Sequence, residues 1–408
     1  MPETHYDLVI VGAGPAGAVA TLYAKRAGLS VCLLDKETFP RDKICGDALS
    51  GKAVTILREL DLFKPIGDLP GAEIHTVTFG SPDKTCVDID LTRSSRQDFL
   101  TGFVIRREIL DHFLFQRAQQ VADQTIEGFT VQDILKEGDT VVGISGKTES
   151  GESQEIRGKV VLGADGFSSV VARKLGLYSH DPRHWIVALR CYYKDVKGLT
   201  DQIELHYVDE VIPGYFWIFP LEEGYANVGI GMLHEYIKRE NIDLKVALDN
   251  AINSDTFSDR FADAQPTEEP IGWNLPAGSK HRPNHGNGFM LLGDAAGLID
   301  PFTGEGIGNA FYSAKFGVET AQAAIDADDV SASILSAYDR KLWDEIGSEL
   351  KVSHRLQKIG RSRTLLNFVI HKAERSQEVR DTIMGMMANE VPKKQLTNPL
   401  FYLKLLLS

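Results

Sequence analysis

Cysteine is scarce in this chain: four in 408 residues, at positions 32, 45, 86 and 191, with no CxxC pair and no histidine at ligand spacing. That scatter excludes a disulfide scaffold and a cysteine-based metal centre, and predicts free thiols in a reducing, cytoplasmic setting. Long apolar runs are missing as well; none approaches the roughly 18 residues that a membrane span needs. A basic surplus is missing too. Asp and Glu number 57 against 44 Lys and Arg, and the net charge of −13 has the wrong sign for a nucleic-acid partner. No charged and apolar leader precedes the first strand pattern, which begins within the first ten residues, so no signal peptide is expected. Repeats and low-complexity linkers are not found. What remains is ordinary for a globular protein, 43% hydrophobic and 25% charged, and the length predicts more than one domain.

Three glycine-bearing segments stand out: Gly12-Ala13-Gly14-Pro15-Ala16-Gly17, Gly163-Ala164-Asp165-Gly166 and Gly293-Asp294-Ala295-Ala296-Gly297. The first has an informative frame. An apolar run over Asp7–Val11 leads into it, an Ala-rich helix pattern over 16–27 leaves it, and a second apolar run, Val31–Leu34, ends at Asp35 and Lys36. In such a unit Gly12, Gly14 and Gly17 allow the tight turn, close approach to a pyrophosphate and helix–strand packing. The N–H groups at the helix start, from Ala16 on, favour phosphate, and the carboxylate about 20 residues on takes a ribose hydroxyl. On this segment alone NAD and FAD are both open.

Further along, strands are expected at 74–79 and 86–91, a helix over 107–121, paired strands near 126–133 and 139–145, and a buried strand over 160–162 that ends at the second glycine segment. Residues 180–275 carry aromatic, strand-like runs, and 290–292 return to a buried strand before the third segment. From Ile307 the pattern is mostly helical. This divides the chain into a discontinuous nucleotide domain (1–72, 100–178 and 280–330), a substrate domain (73–99 and 179–279) and a helical C-terminal region (331–408).

The succession GxGxxG, GADGxxS and GDAAGxxxPxxGEGI resembles the FAD-dependent oxidoreductases of the p-hydroxybenzoate hydroxylase fold over most of residues 5–320. The resemblance implies an α/β protein: a Rossmann-type FAD-binding domain with an inserted antiparallel-sheet substrate domain and a helical C-terminal region. It implies that Asp165 and Gly166 lie near the FAD pyrophosphate and ribose, that Gly293 and Asp294 meet the ribityl chain, and that Arg107 contacts the cofactor. Gly304, Gly306 and Ile307 would lie at the flavin ring, where the N-terminus of the following helix favours the anionic reduced form. Each has a plainer reading: Asp165 as a turn former, Arg107 as a helix surface residue, Gly304–Ile307 as a helix start.

A narrower resemblance lies in Tyr215-Phe216-Trp217-Ile218-Phe219-Pro220, followed after eight residues by Gly229-Ile230-Gly231, which is similar to the YxWxFP…GxG signature of the geranylgeranyl reductase family. Lys43-Ile44-Cys45-Gly46 matches that family's Cys-Gly near the flavin. The implied activity is hydride transfer from reduced flavin to C=C bonds of isoprenoid chains. Strand alternation puts Tyr215, Trp217 and Phe219 on one face, with Pro220, Gly229 and Gly231 completing the implied substrate site. Addition of a proton to an unactivated alkene builds cationic character, which aromatic faces stabilise by roughly 0.5–2 kcal/mol each. Tyr215 and Trp217 are the candidates for that role, and Cys45, Asp47 and Tyr215 for the proton source. Core packing of the aromatic strand, and a Cys45 that only shapes the pocket, are the bland alternatives.

Lys351, Arg355, Lys358, Arg361 and Arg363 flank Val352, Leu356 and Ile359 at helical spacing, and residues 399–407 are strongly apolar. Together, 351–363 and 399–408 suggest peripheral contact with an anionic membrane; a solvated face and a docked tail are the alternative. No second GxGxxG unit is found, so the electron donor is expected to be NAD(P)H bound transiently or a small redox protein. Rival functions on the same fold are a monooxygenase or halogenase and a non-catalytic flavin or prenyl-lipid binder.

Overall fold

The computed structural model describes residues 5–94 and 101–387. Five strands form a parallel sheet in the order Phe289–Leu291, Ser153–Gly163, His5–Val11, Val31–Leu34 and Gln124–Ile126. Leu8, Val9, Ile10 and Val31–Leu34 are fully buried, as strands covered by helices on both faces must be. The helix Pro15–Arg26 starts with Pro, whose missing N–H costs nothing in the first turn, and ends with Lys25 and Arg26, which suit the negative end of the helix dipole. It packs against the helices Arg107–Val121 and Ile307–Asp326. An antiparallel pair, Thr130–Glu137 and Thr140–Lys147, attaches to the first half of Ser153–Gly163.

The expected strand over 74–79 is two strands. Ala72–Ile74 joins a small sheet with Gly102–Val104 and Ala48–Leu49, whereas Thr76–Gly80 joins the second large sheet. The chain changes sheets at His75, whose N–H donates to the Asp201 carbonyl (3.0 Å) and whose carbonyl accepts from Leu91 N–H (2.8 Å). Alternation of side chains carries no mark of such a change of partner.

The second sheet runs in the order Gln265–Pro266, Trp185–Lys194, Tyr225–Leu233, Tyr215–Pro220, Gln202–His206, Thr76–Gly80, Cys86–Asp90, and Ile271–Pro276 also pairs with Trp185–Lys194. It is antiparallel except between Gln202–His206 and Thr76–Gly80. The chain between those two strands traverses much of the first sheet, long enough to return in parallel. One face packs Phe216, Ile218 and Ile230 against the helix Leu244–Ile252. The other carries Trp217, Phe219 and Leu205, with Tyr215 partly buried among them, and faces the first sheet and the C-terminal helices Ala332–Ile359, Arg363–Arg375 and Gln377–Met387. No described helix is long and apolar enough to cross a membrane.

Candidate active site

The three glycine segments meet in space. A Cβ on Gly12 would overlap the Ala164 carbonyl, so the first loop can lie against the second only because residue 12 is glycine, here at φ +98°. At Gly293 an added Cβ would stand 3.3 Å from those of Ala16 and Ala310, which brings the third segment against both helix starts. A cavity of about 1130 Å³ opens at this junction and continues under the second sheet to the last described helices. Its wall includes Gly12, Gly14, Ala16, Asp35, Lys36 and Gly166. Also there are Cys45, Gly46, Arg107, Asp165, Gly293 and Asp294, and on the far side Gly304, Gly306, Ile307, Tyr215, Trp217, Phe219 and Gly231.

Three expected positions lie off this wall, each for a packing reason. Gly17 faces the Gly12 carbonyl, where any side chain would collide, so it holds the turn together. Gly229 lies opposite Trp217 on the neighbouring strand, and its lack of a side chain makes room for the indole. Pro220 ends the strand, paired with Ala226 and buried.

Several polar side chains at the nucleotide end are held by the protein. Asp35 accepts from Ala13 N–H (2.7 Å) and Glu37 N–H (2.9 Å), which fixes its carboxylate at the mouth of the first loop. Asp165 accepts from Ser169 Oγ (2.6 Å) and Val170 N–H (2.7 Å) at the start of the helix Val170–Lys174. Arg107, buried, makes a two-pronged pair with Asp111 (2.6 and 2.8 Å), and Arg41 bonds the same carboxylate (2.7 Å). Burial works against the Arg107 charge, but Asp111 more than offsets it and holds the pKa above the usual value. Lys43 lies over the Trp273 ring at 4.0 Å, and burial lowers its pKa to about 8.

Beyond the glycine loops the wall becomes a polar network on an aromatic sheet. Trp217 Nε1 donates to Asn227 Oδ1 (2.9 Å); Asn227 Nδ2 donates to the Cys45 carbonyl (2.8 Å) and to Asp47 Oδ2 (2.7 Å). Tyr192 Oη donates to the same Asp47 oxygen (2.7 Å). Asp47 has no solvent exposure, and burial raises its pKa to about 6 despite these donors. The Tyr215 hydroxyl donates to the Thr303 carbonyl, which ties the aromatic strand to the loop before Gly304. Asn227 and Tyr192 were not anticipated from sequence. They stand opposite each other on the paired strands Trp185–Lys194 and Tyr225–Leu233, and no motif spacing marks them.

A second cluster surrounds Glu305. Lys52 Nζ bonds Glu349 (2.7 Å) and Asn309 (2.9 Å), and Ser50 donates to Glu305. Past Trp217 the cavity is almost wholly apolar: Val77, Phe79, Leu205, Leu366, Ile370 and Met386 line it. Of the basic segment, Val352 and Leu356 also face this cavity, so its apolar side is engaged within the protein. Arg363 pairs with Asp209 (3.0 Å) and, like Lys351, Arg355, Lys358 and Arg361, is exposed. Residues 399–408 lie outside the described residues.

Comparison with known proteins gives the family and the fold. A family model described as an FAD binding domain matches residues 5–340. Digeranylgeranylglycerophospholipid reductase 1 of Methanococcoides burtonii is 31% identical over 353 residues, covering 85% of this chain and 82% of its own. The chain belongs to the geranylgeranyl reductase family of FAD-dependent oxidoreductases. A menaquinone reductase of Mycobacterium tuberculosis is 32% identical over 357 residues, with 86% and 83% covered. The crystal structure of a geranylgeranyl bacteriochlorophyll reductase-like protein from Thermoplasma acidophilum superposes with a TM-score of 0.82 at 25% identity, over 96% of this chain and 98% of that one. The residues present fit FAD. The glycine loops leave a side-chain-free cradle against which backbone can meet a pyrophosphate, two helix N-termini face it, and the cavity exceeds the roughly 300–1,000 Å³ of ordinary ligand sites.

Proposed function

We propose that this protein reduces C=C bonds in the isoprenoid chains of membrane lipids or prenyl diphosphates, geranylgeranyl chains in particular. The observation that carries this reading is the course of the cavity. It begins among the glycine loops and continues, over the aromatic strand, to an apolar end lined by Val77, Leu366 and Ile370, which suits a hydrocarbon chain. FAD, when bound and reduced, supplies a hydride to one carbon of the alkene. The rest falls to this chain. The segments Gly12–Gly17, Asp165–Gly166 and Gly293–Asp294, with Asp35, Lys36 and Arg107, would hold the nucleotide and ribityl portions; Gly46 and Gly304–Ile307 would frame the ring. Tyr215, Trp217 and Phe219 would place a double bond over this region and stabilise developing positive charge through their faces. Val77, Leu366 and Ile370 would hold the remaining chain and exclude water.

Two readings concern partners. The electron donor is a nicotinamide nucleotide or a small redox protein that docks transiently. The exposed Lys351, Arg355 and Lys358 favour contact with anionic lipid near the channel's C-terminal wall. The test of the activity is anaerobic: reduce the FAD-loaded protein with dithionite, add geranylgeranyl lipid, and follow flavin absorbance together with product mass. Reoxidation with a gain of one H₂ per double bond is expected. A flavin that stays reduced until air is admitted, with every prenyl substrate unchanged, would overturn the reading.

A further inference from the structure

Three carboxylates on the cavity wall, Asp300, Glu305 and Glu349, gather around one buried ammonium, that of Lys52. One positive charge cannot balance three negative ones away from bulk water, so the cluster favours keeping a proton. The contacts say which carboxyl keeps it. Glu349 takes the ammonium directly, at 2.7 Å. Asp300 is 1% exposed, and its Oδ1 accepts from Phe302 N–H (2.9 Å) and Thr303 N–H (2.8 Å). Both arrangements favour the charged form. Glu305 is left with Ser50 donating to Oε1 and with the ammonium 4.0 Å from Oε2, beyond hydrogen-bond reach. Unlike the fully buried Asp47, its side chain keeps 18% exposure, and it keeps it on the cavity wall. Gly308 makes room for this placement, since a Cβ there would stand 2.4 Å from Oε1.

Resting on the reading of this protein as a prenyl reductase, we propose that Glu305 is the catalytic acid that protonates the alkene, with Ser50 and Lys52 as its positioning residues. Its loop is tied to the aromatic strand: the Thr303 carbonyl accepts from the Tyr215 hydroxyl, and Thr303 Oγ1 accepts from Glu305 N–H (3.3 Å). The Oε2–H bond breaks and a C–H bond forms at the less substituted alkene carbon, using the alkene π pair. The tertiary carbon left short of electrons takes the hydride that reduced FAD supplies, so the flavin is oxidised by two electrons. Glu305 is left as a carboxylate beside the Lys52 ammonium, which limits the cost of its charge. Water that enters the cavity as product leaves returns the proton.

The rival donors are less well placed. Asp47 has no exposed surface from which to reach a substrate. The Tyr215 hydroxyl is already donating to the Thr303 carbonyl, and burial pushes its pKa above the ordinary tyrosine value. The Cys45 thiol lies against the Arg107 guanidinium. The groups facing Glu305 from the surrounding elements are Ser50 and Lys52 at the start of the helix Gly51–Glu59, Glu349 on the helix Ala332–Ile359 and Asp300 on its own loop. Burial raises the Glu305 pKa; Lys52 and Ser50 oppose it, Glu349 and Asp300 add to it, and the acid form persists to higher pH than in an ordinary glutamate.

The test uses the full-length, FAD-loaded protein with geranylgeranyl lipid, in single-turnover reoxidation from about pH 5 to 9. The wild-type rate is expected to fall as pH rises through the titration of Glu305. Glu305→Gln keeps the acceptor for Ser50 but has no acidic proton, so it should lose roughly 10²- to 10⁴-fold in rate with FAD still bound. Ser50→Ala removes a donor to the carboxylate, so it should raise the pKa and move the falling limb to higher pH. Infrared difference spectra of the resting protein supply a readout independent of turnover: a protonated-carboxyl C=O band that titrates in the wild type, is absent from Glu305→Gln and titrates at higher pH in Ser50→Ala. Should Glu305→Gln fail to fold or to hold FAD, the Ser50→Ala limb and band decide; a limb and band that do not move overturn the proposal. So does a Glu305→Gln enzyme with the wild-type rate and profile while the wild type reduces prenyl chains. A wild type that binds FAD yet reduces no prenyl substrate at any pH ends the underlying reading, and the acid role with it.

Discussion

At the residue scale the site is governed by burial of groups that prefer water. Asp47 shows the sign of this. Its folded pKa, about 6, lies above the unfolded value of 3.8, so its contribution to stability is complete below the unfolded value and is lost as pH rises through about 6. An amide keeps the acceptor for Tyr192 and carries no charge. Asp47→Asn is therefore expected to match the wild type near pH 4 and to exceed it by about 2–3 kcal/mol at pH 8, as measured by urea unfolding at both pH values. Gly229 tests packing instead of charge. A side chain there would overlap the Trp217 indole and the Leu189 carbonyl, so Gly229→Val should destabilise by about 1–3 kcal/mol and shift tryptophan fluorescence, with the near-ultraviolet circular dichroism altered. Residue 47 was legible in the sequence only as one of three candidate acids. What buries it, with two donors on one oxygen, comes from strands that begin some 140 to 180 positions later.

At the scale of elements, periodicity told which face of a strand was which, and pairing told what that face meets. Tyr215, Trp217 and Phe219 do share a face opposite Phe216 and Ile218, as alternation requires. The same rule could not show that residues 72–80 change sheets at His75, because both halves alternate in the same way. The basic helical segment is a further case. Its amphipathic pattern was visible, but the apolar side turns to the cavity, which leaves the exposed lysines and arginines as its outward face. The helices Arg363–Arg375 and Gln377–Met387 close the apolar end of the channel through Leu366, Ile370, Ala373, Val379 and Met386. Filling that end should shorten it. Ala373→Trp is expected to lower kcat/KM for a geranylgeranyl substrate more than tenfold and to spare a substrate with half the chain length, in parallel assays; equal losses on both would place the tail elsewhere.

Across the whole molecule, the two large sheets and the C-terminal helices enclose one continuous cavity, and FAD binding would bridge segments drawn from residues 12 to 307. Such a ligand stabilises the native state by mass action: at a hundredfold excess over Kd, FAD should add about 2.7 kcal/mol, read as a rise in Tm that saturates with FAD concentration. The sequence by itself determined the parallel sheet, the three glycine segments and the membership of a flavin family, because these rest on local rules: buried apolar runs, helix starts and turns that admit only glycine. It also set the facing of the aromatic strand. The tertiary structure alone decided that Gly229 makes room for an indole, that the basic helix is half buried in the cavity wall, and that Asp47, Asn227, Tyr192 and Trp217 form one network. Those facts depend on which distant strands pair and in which register, and that is settled by burial summed over the whole fold, which no local stretch of residues records.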